Sequence, residues 1–156
     1  MKILKKILIG LLAVFVLIQF IQPAKNTGHG ASNQDITRVV AIPTDVQTIL
    51  KASCYDCHSN NTSYPWYSNV QPFGFWLAHH IKEGKAELNF NDFSSYSKRR
   101  QLSKLKAIAE SIQDGSMPLS SYTLIHQSAK LSGDDKKIIM DWAGKAKDSL
   151  TMIYEQ

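Results

Sequence analysis

The chain has 156 residues, 44% of them hydrophobic, 20% charged and 10% aromatic, with two cysteines and a formal charge of +5. That length holds one domain, and the composition excludes collagen-like, wholly disordered and disulfide-framework classes, while a mean hydropathy of −0.21 excludes a polytopic membrane protein. The charge is concentrated at the start: with Lys2, Lys5 and Lys6 set aside, 15 of the 18 basic residues face 13 acidic ones, and so nearly neutral a body lacks the many phosphate contacts that nucleic-acid binding needs.

Ile7 to Ile21 is apolar except for Gln19, with three lysines before it and Gln22-Pro23 after it. A positive flank followed by an apolar stretch predicts an uncleaved signal-anchor over residues 1–24. A cleaved export signal and a buried core helix are the alternatives. All but the last place the rest outside the cytoplasm, and the anchor reading makes the protein a single-pass inner-membrane one with its domain in the periplasm. Residues 25–39 contain NTGHGASNQD, which has no apolar period and predicts a flexible tether.

The domain proper, residues 40–156, reads as helices. Pro43, Thr44 and Asp45 give start signals, and Val46, Ile49 and Leu50 follow at helical spacing. Phe73, Trp76, Leu77, His80 and Ile81 form one face of a second helix, which Gly84 weakens or ends. Asn89 to Ser97 reads as a loop holding Phe90, Phe93 and Tyr96. A third helix spans about Lys98 to Asp114, with Leu102, Leu105, Ile108, Ala109 and Ile112 inward. Gly115 stands where a left-handed cap belongs. Pro118 keeps Met117 out of helical geometry, and a short turn holds Tyr122 to His126. The last helix opens with Ser132 and Asp135 at capping-box spacing and continues through Ile138, Ile139, Trp142, Ala143 and Ala146. No period-two segment or repeat is found, so the predicted class is all-α.

The chemistry is carried by Cys54-x-x-Cys57-His58, the c-type haem attachment sequence. Two thiols three residues apart at a helix end reach the two vinyl groups on one porphyrin edge, and the adjacent imidazole turns onto the iron. Three other readings of the cysteines stand beside it: a thioredoxin-like redox pair, which wants strands around it; a short structural disulfide; and a zinc site completed by two histidines. For the second axial ligand, Met117 is the first candidate, because a thioether in a proline-stiffened loop suits Met/His ligation and a raised reduction potential. Its ordinary alternative is core filling. His80, in the middle of an apolar stripe, is the rival. Trp66, Tyr67 and Trp76, with Tyr64 and Trp142, are either haem-pocket walls or ordinary core. His126 lies near a loop, in solvent or against a haem propionate. The basic face of Lys98, Arg99, Arg100, Lys104 and Lys106 is a solvated helix side or a surface that steers an acidic partner.

The run CYDCHSNNTSYPWYSNVQPFGFWLAHHIKEGKAELNF, then GSMPLSSYTLIHQSAKLS and a terminal helix with Trp142, resembles the haem-binding domain family of small bacterial proteins. These look like membrane-anchored, monohaem relatives of class I cytochrome c. The resemblance covers roughly Val40 to the C-terminus. It implies attachment at Cys54 and Cys57, His58 as proximal ligand and Met117 as distal ligand by position, while the intact HH-x-KEGK segment keeps His80 in play. It further implies a cytochrome c-like helical domain around one covalent haem c per chain, preceded by a membrane helix. The expected role is electron transfer with redox proteins of the cell envelope, not enzymatic turnover, with no nucleic acid and no small-molecule substrate. Two other roles stay open: a gas or peroxide sensor, or peroxidase-like protein, with a labile sixth ligand; and a CxxC thiol or zinc module.

Overall fold

The computed structural model describes residues 2–28 and 32–156. The elements run α1 (Lys2–Ile18), α2 (Thr44–Ser53), α3 (Tyr55–His58), α4 (Phe73–Glu87), α5 (Lys98–Gln113), α6 (Ser120–Thr123) and α7 (Gly133–Tyr154). Between them lie 3₁₀ turns at Ile36–Arg38, Trp66–Asn69, Phe90–Ser95 and Gln127–Ala129. Among the described residues there is no strand, only an isolated bridge between Thr27 and Asn61. The all-α class holds.

The heart of the fold is the pairing of α5 with α7. Apolar residues recurring at three- and four-residue steps give each helix one buried stripe. Leu105, Ile108 and Ile112 meet Ile139, Trp142, Ala143 and Leu150 in one core, which Leu50 of α2 and Phe90 and Phe93 of the 3₁₀ segment complete. The ends of both helices follow their local signals. Ser97 Oγ caps α5, and Gly115 takes φ +76° just after it, a conformation glycine adopts without steric cost. Ser132 and Asp135 cap each other at the start of α7. Ser132 Oγ accepts from the Asp135 N–H at 3.1 Å, and Asp135 Oδ2 accepts from the Ser132 N–H at 2.9 Å. Ser132→Ala is expected to cost about 1 kcal/mol, read as a lower urea midpoint at unchanged slope. Trp142 Nε1–H donates to the Ala41 carbonyl at 3.0 Å, joining the last helix to the chain before α2. Gln101, absent from the predicted inward set, is buried because its amide donates to the carbonyls of Phe93 and Tyr96.

The predicted membrane helix is not supported. No helix among the described residues is long and apolar enough to cross a membrane. At 17 residues α1 is about 26 Å long at 1.5 Å per residue, short of the roughly 30 Å of hydrocarbon in a bilayer. Three of its residues are lysines, and the run does not continue as helix past Ile18. Gln19 instead bonds the body: its Oε1 accepts from the Gln71 N–H at 2.8 Å and its Nε2 donates to the Gln71 carbonyl at 3.1 Å. The inner-membrane, periplasm-facing placement rested on that helix and loses its basis with it.

The predicted tether is also largely docked. Asn26 donates to the Tyr64 hydroxyl at 2.6 Å and through Nδ2 to the Ser59 carbonyl at 2.8 Å, and its Oδ1 accepts from Lys85 Nζ at 2.6 Å. Ile36 is fully buried in the main core, and Asp35 accepts from Asn91 Nδ2 at 2.8 Å. The segment looked like a linker because its bonds are made by polar side chains, which leave no hydrophobic period. Residues 29–31 of the predicted tether lie outside the described residues.

Candidate functional site

The main core and a smaller one meet at the CxxCH turn. Cys54, where α2 gives way to α3, packs on the main core, while Cys57 packs on a second cluster of Tyr67, Leu77 and Ile81. The join is a true turn: Cys54 has φ −127°, outside the helical range, and α3 is a single turn that carries Asp56, Cys57 and His58. Helix α4 fixes that turn in two ways. A side chain at Gly84 would place its Cβ 2.8 Å from the Cys57 carbonyl oxygen, so glycine is what lets α4 lie against α3. Just past the end of α4, the buried Leu88 carbonyl accepts from His58 Nδ1 at 3.0 Å. Since a carbonyl only accepts, Nδ1 carries the proton, and the lone pair of the neutral ring lies on Nε2. Burial holds the imidazole below its ordinary pKa, which keeps that lone pair unprotonated.

A cleft opens in front of this turn in two adjoining lobes of about 160 and 210 Å³, both lined by Cys54, His58, Glu87 and Met117. The smaller is walled by Leu50, Phe90, Ile108 and Ile112, and the larger by Cys57, His80, Leu119 and Tyr122. Met117 sits in the extended loop after α5, its N–H donating to the Ser111 carbonyl at 3.0 Å. The exposed Lys104–Glu87 ion pair, at 3.0 Å, stands at the rim. A larger hollow between the chain before α2 and α7 is lined by Val40, Val46, Trp142 and Leu150 and has none of the chemistry-bearing residues.

The predicted site residues divide. Cys54, Cys57, His58, His80 and Met117 all line the one cleft. Trp66, Tyr67 and Trp76 do not. Trp66 is 79% exposed. Tyr67 is buried in the second core and Trp76 packs on that core, with its ring edge-on to His80 at 4.5 Å. Phe73, predicted inward on the same face of α4, is 53% exposed. His126 is half-buried and does not line the cleft. It stacks on Tyr122 at 4.2 Å, and its Nε2 lies 2.6 Å from the Tyr67 hydroxyl. Tyr122 donates to Asp56 Oδ2 at 2.5 Å; burial and that carboxylate push its phenol well above the usual range.

The alternatives for the cysteines fare poorly. Both thiols are free. Burial pushes Cys54 up to about 12 and Cys57 up to about 11, whereas a redox-active pair needs a lowered thiol pKa. Among the described residues no three His, Cys, Asp or Glu side chains gather to hold a metal ion, as a four-ligand zinc site would require. A haem iron asks less of the chain, because the porphyrin supplies four donors and the protein only axial ones.

The haem-binding domain family matches residues 13–145. The chain belongs to that family. No curated protein and no solved structure matches it. This haem-binding domain thus includes every residue on the cleft, and its donor set fits the group: two imidazoles, of which His58 has a free Nε2, one thioether, two thiols and an otherwise largely apolar lining. Four contributors escaped the sequence reading. Gly84 reads as a helix breaker until its neighbour is known. Leu88 acts through its backbone, which no side-chain pattern reports. Asp56 and Tyr122 do carry a signal, since one lies inside the CxxCH motif and the other in the MPLSSYTLIH element.

Proposed function

We propose that this haem-binding protein is a monohaem c-type cytochrome that carries electrons rather than turning over a substrate. The observation that carries the reading is the convergence of both thiols, the Nδ1-tethered His58 and Met117 on one cleft. Cys54 and Cys57 would hold the porphyrin edge as thioethers, His58 Nε2 would be the proximal ligand and Met117 the distal one. When bound, haem supplies one-electron exchange at its iron. The chain's part is to bind, orient and exclude water. The Leu88 carbonyl fixes the imidazole plane and raises its basicity, the aliphatic walls of the smaller lobe dry the cleft, and Met/His ligation favours a raised potential. The exposed mouth gives a protein partner an approach without any substrate pocket. His80, on the same lobe as Met117, is the second candidate for the sixth position.

The test is production alongside a c-type attachment machinery. One haem per chain should remain on the polypeptide through acid–acetone extraction; a mass equal to the bare polypeptide overturns the proposal. Met117→Ala should abolish the weak far-red sulfur-to-iron band of the ferric protein. If that band is unaffected, the thioether is not a ligand; if His80→Ala alone alters the low-spin spectrum, His80 is.

A further inference from the structure

Met117 is carried on a loop with few anchors of its own. Its N–H is held by Ser111, and Ser116 bonds only back to Asp114 and Ser111. What ties this stretch to the CxxCH turn is Tyr122, five residues on, whose hydroxyl reaches Asp56 at 2.5 Å. Among the described residues it is the one side-chain hydrogen bond between the segment 115–126 and α3. Asp56 itself is fixed on the far side: its Oδ1 accepts from the Ser63 N–H at 2.9 Å, and its carbonyl accepts from Thr62 Oγ1 at 2.6 Å. The phenol ring stacks on His126, whose Nε2 contacts the Tyr67 hydroxyl. A charge-assisted bond with a firmly held acceptor therefore spans the cleft from the motif that bears the thiols to the loop that bears the thioether.

We infer that Tyr122 is a positioning residue for the sixth ligand, its bond to Asp56 holding Met117 over the CxxCH turn. The inference rests on the proposed His58/Met117 ligation. It is tested on ferric holoprotein by titrating imidazole, which competes with Met117 for iron, and by following the far-red band. Tyr122→Phe keeps the ring and its stacking and removes only the hydroxyl. Apparent imidazole affinity should rise about tenfold, the scale of a lost hydrogen bond to a charged group, with haem content unchanged. Tyr154→Phe, which removes a hydroxyl that bonds Gln101, neither residue lining the cleft, should leave that affinity at the wild-type value.

Wild-type affinity in Tyr122→Phe, or an equal rise in Tyr154→Phe, overturns the inference and leaves the haem reading standing. A wild-type protein without the far-red band removes Met117 ligation and the inference together. Where Tyr122→Phe gives too little holoprotein, Asp56→Asn, which keeps an acceptor oxygen without the charge, should raise the affinity about threefold. No rise there counts equally against the inference.

Discussion

His58→Ala is expected to cut the yield of holoprotein at least tenfold, the largest effect of any single substitution proposed for this chain. Two losses coincide in it. Under the proposed ligation the iron would lose its proximal nitrogen, and the Leu88 carbonyl, buried and paired with Nδ1 at 3.0 Å, loses its partner, a cost of about 1–3 kcal/mol even without haem. The check is covalent haem per mole of purified polypeptide, followed by the ferric spectrum with and without added imidazole. Imidazole diffusing into the vacated space should restore a low-spin spectrum in the few molecules that retain haem. Full haem content with an unaltered spectrum would show that the ligand lies elsewhere, with His80 first in line.

Gly84→Ala is expected to be the next most damaging, by about 2–3 kcal/mol. Alanine ordinarily favours a helix interior over glycine by about 0.5–1 kcal/mol, so the expected sign is the reverse of the usual one. The reason is local. The new Cβ would fall 2.8 Å from the Cys57 carbonyl oxygen and 3.2 Å from its Cβ, and backbone cannot give way as the tip of a flexible side chain can. Helix α4 would have to lift from α3, and with it the Leu88 carbonyl from His58. Gly144→Ala in α7, where a Cβ meets nothing within 4 Å, should instead stabilise. Thermal unfolding of the two holoproteins separates the cases, and a Gly84→Ala protein as stable as wild type would mean that α3 and α4 are not held that closely.

The parts of this molecule legible in the sequence are those governed by local rules. Helix α5, the glycine after it and the capping box of α7 follow from periodicity and from termini that must satisfy their own backbone groups. The CxxCH motif was legible because its chemistry is contiguous. What stayed hidden depends on distant partners. Gly84 continues α4 to Glu87 instead of ending it, since the position is set by its approach to Cys57. Trp66 and Tyr67 are neighbours in an aromatic-rich turn, yet one is exposed and the other buried, and only packing chooses between them. Asn26 and Asp35 looked like linker because a docked polar segment leaves no hydrophobic trace. Helix α1 ends at Ile18, and the next residue, Gln19, bonds Gln71, a partner 52 positions on that no local pattern reports. For the site, the cysteines, both histidines and Met117 were readable as candidates, but their convergence on one cleft was not.

The bond from Trp142 to Ala41 bears on the order in which the molecule can be assembled. Ribosomes deliver a chain from its beginning, and here the central core is missing one whole wall until the closing twenty-two-residue helix, Gly133–Tyr154, has emerged. The cleft that holds both sulfurs takes no residue from that helix, being lined wholly by residues between Leu50 and Tyr122. A chain truncated ahead of Gly133 should therefore lose one side of the main core while keeping every residue that lines the cleft.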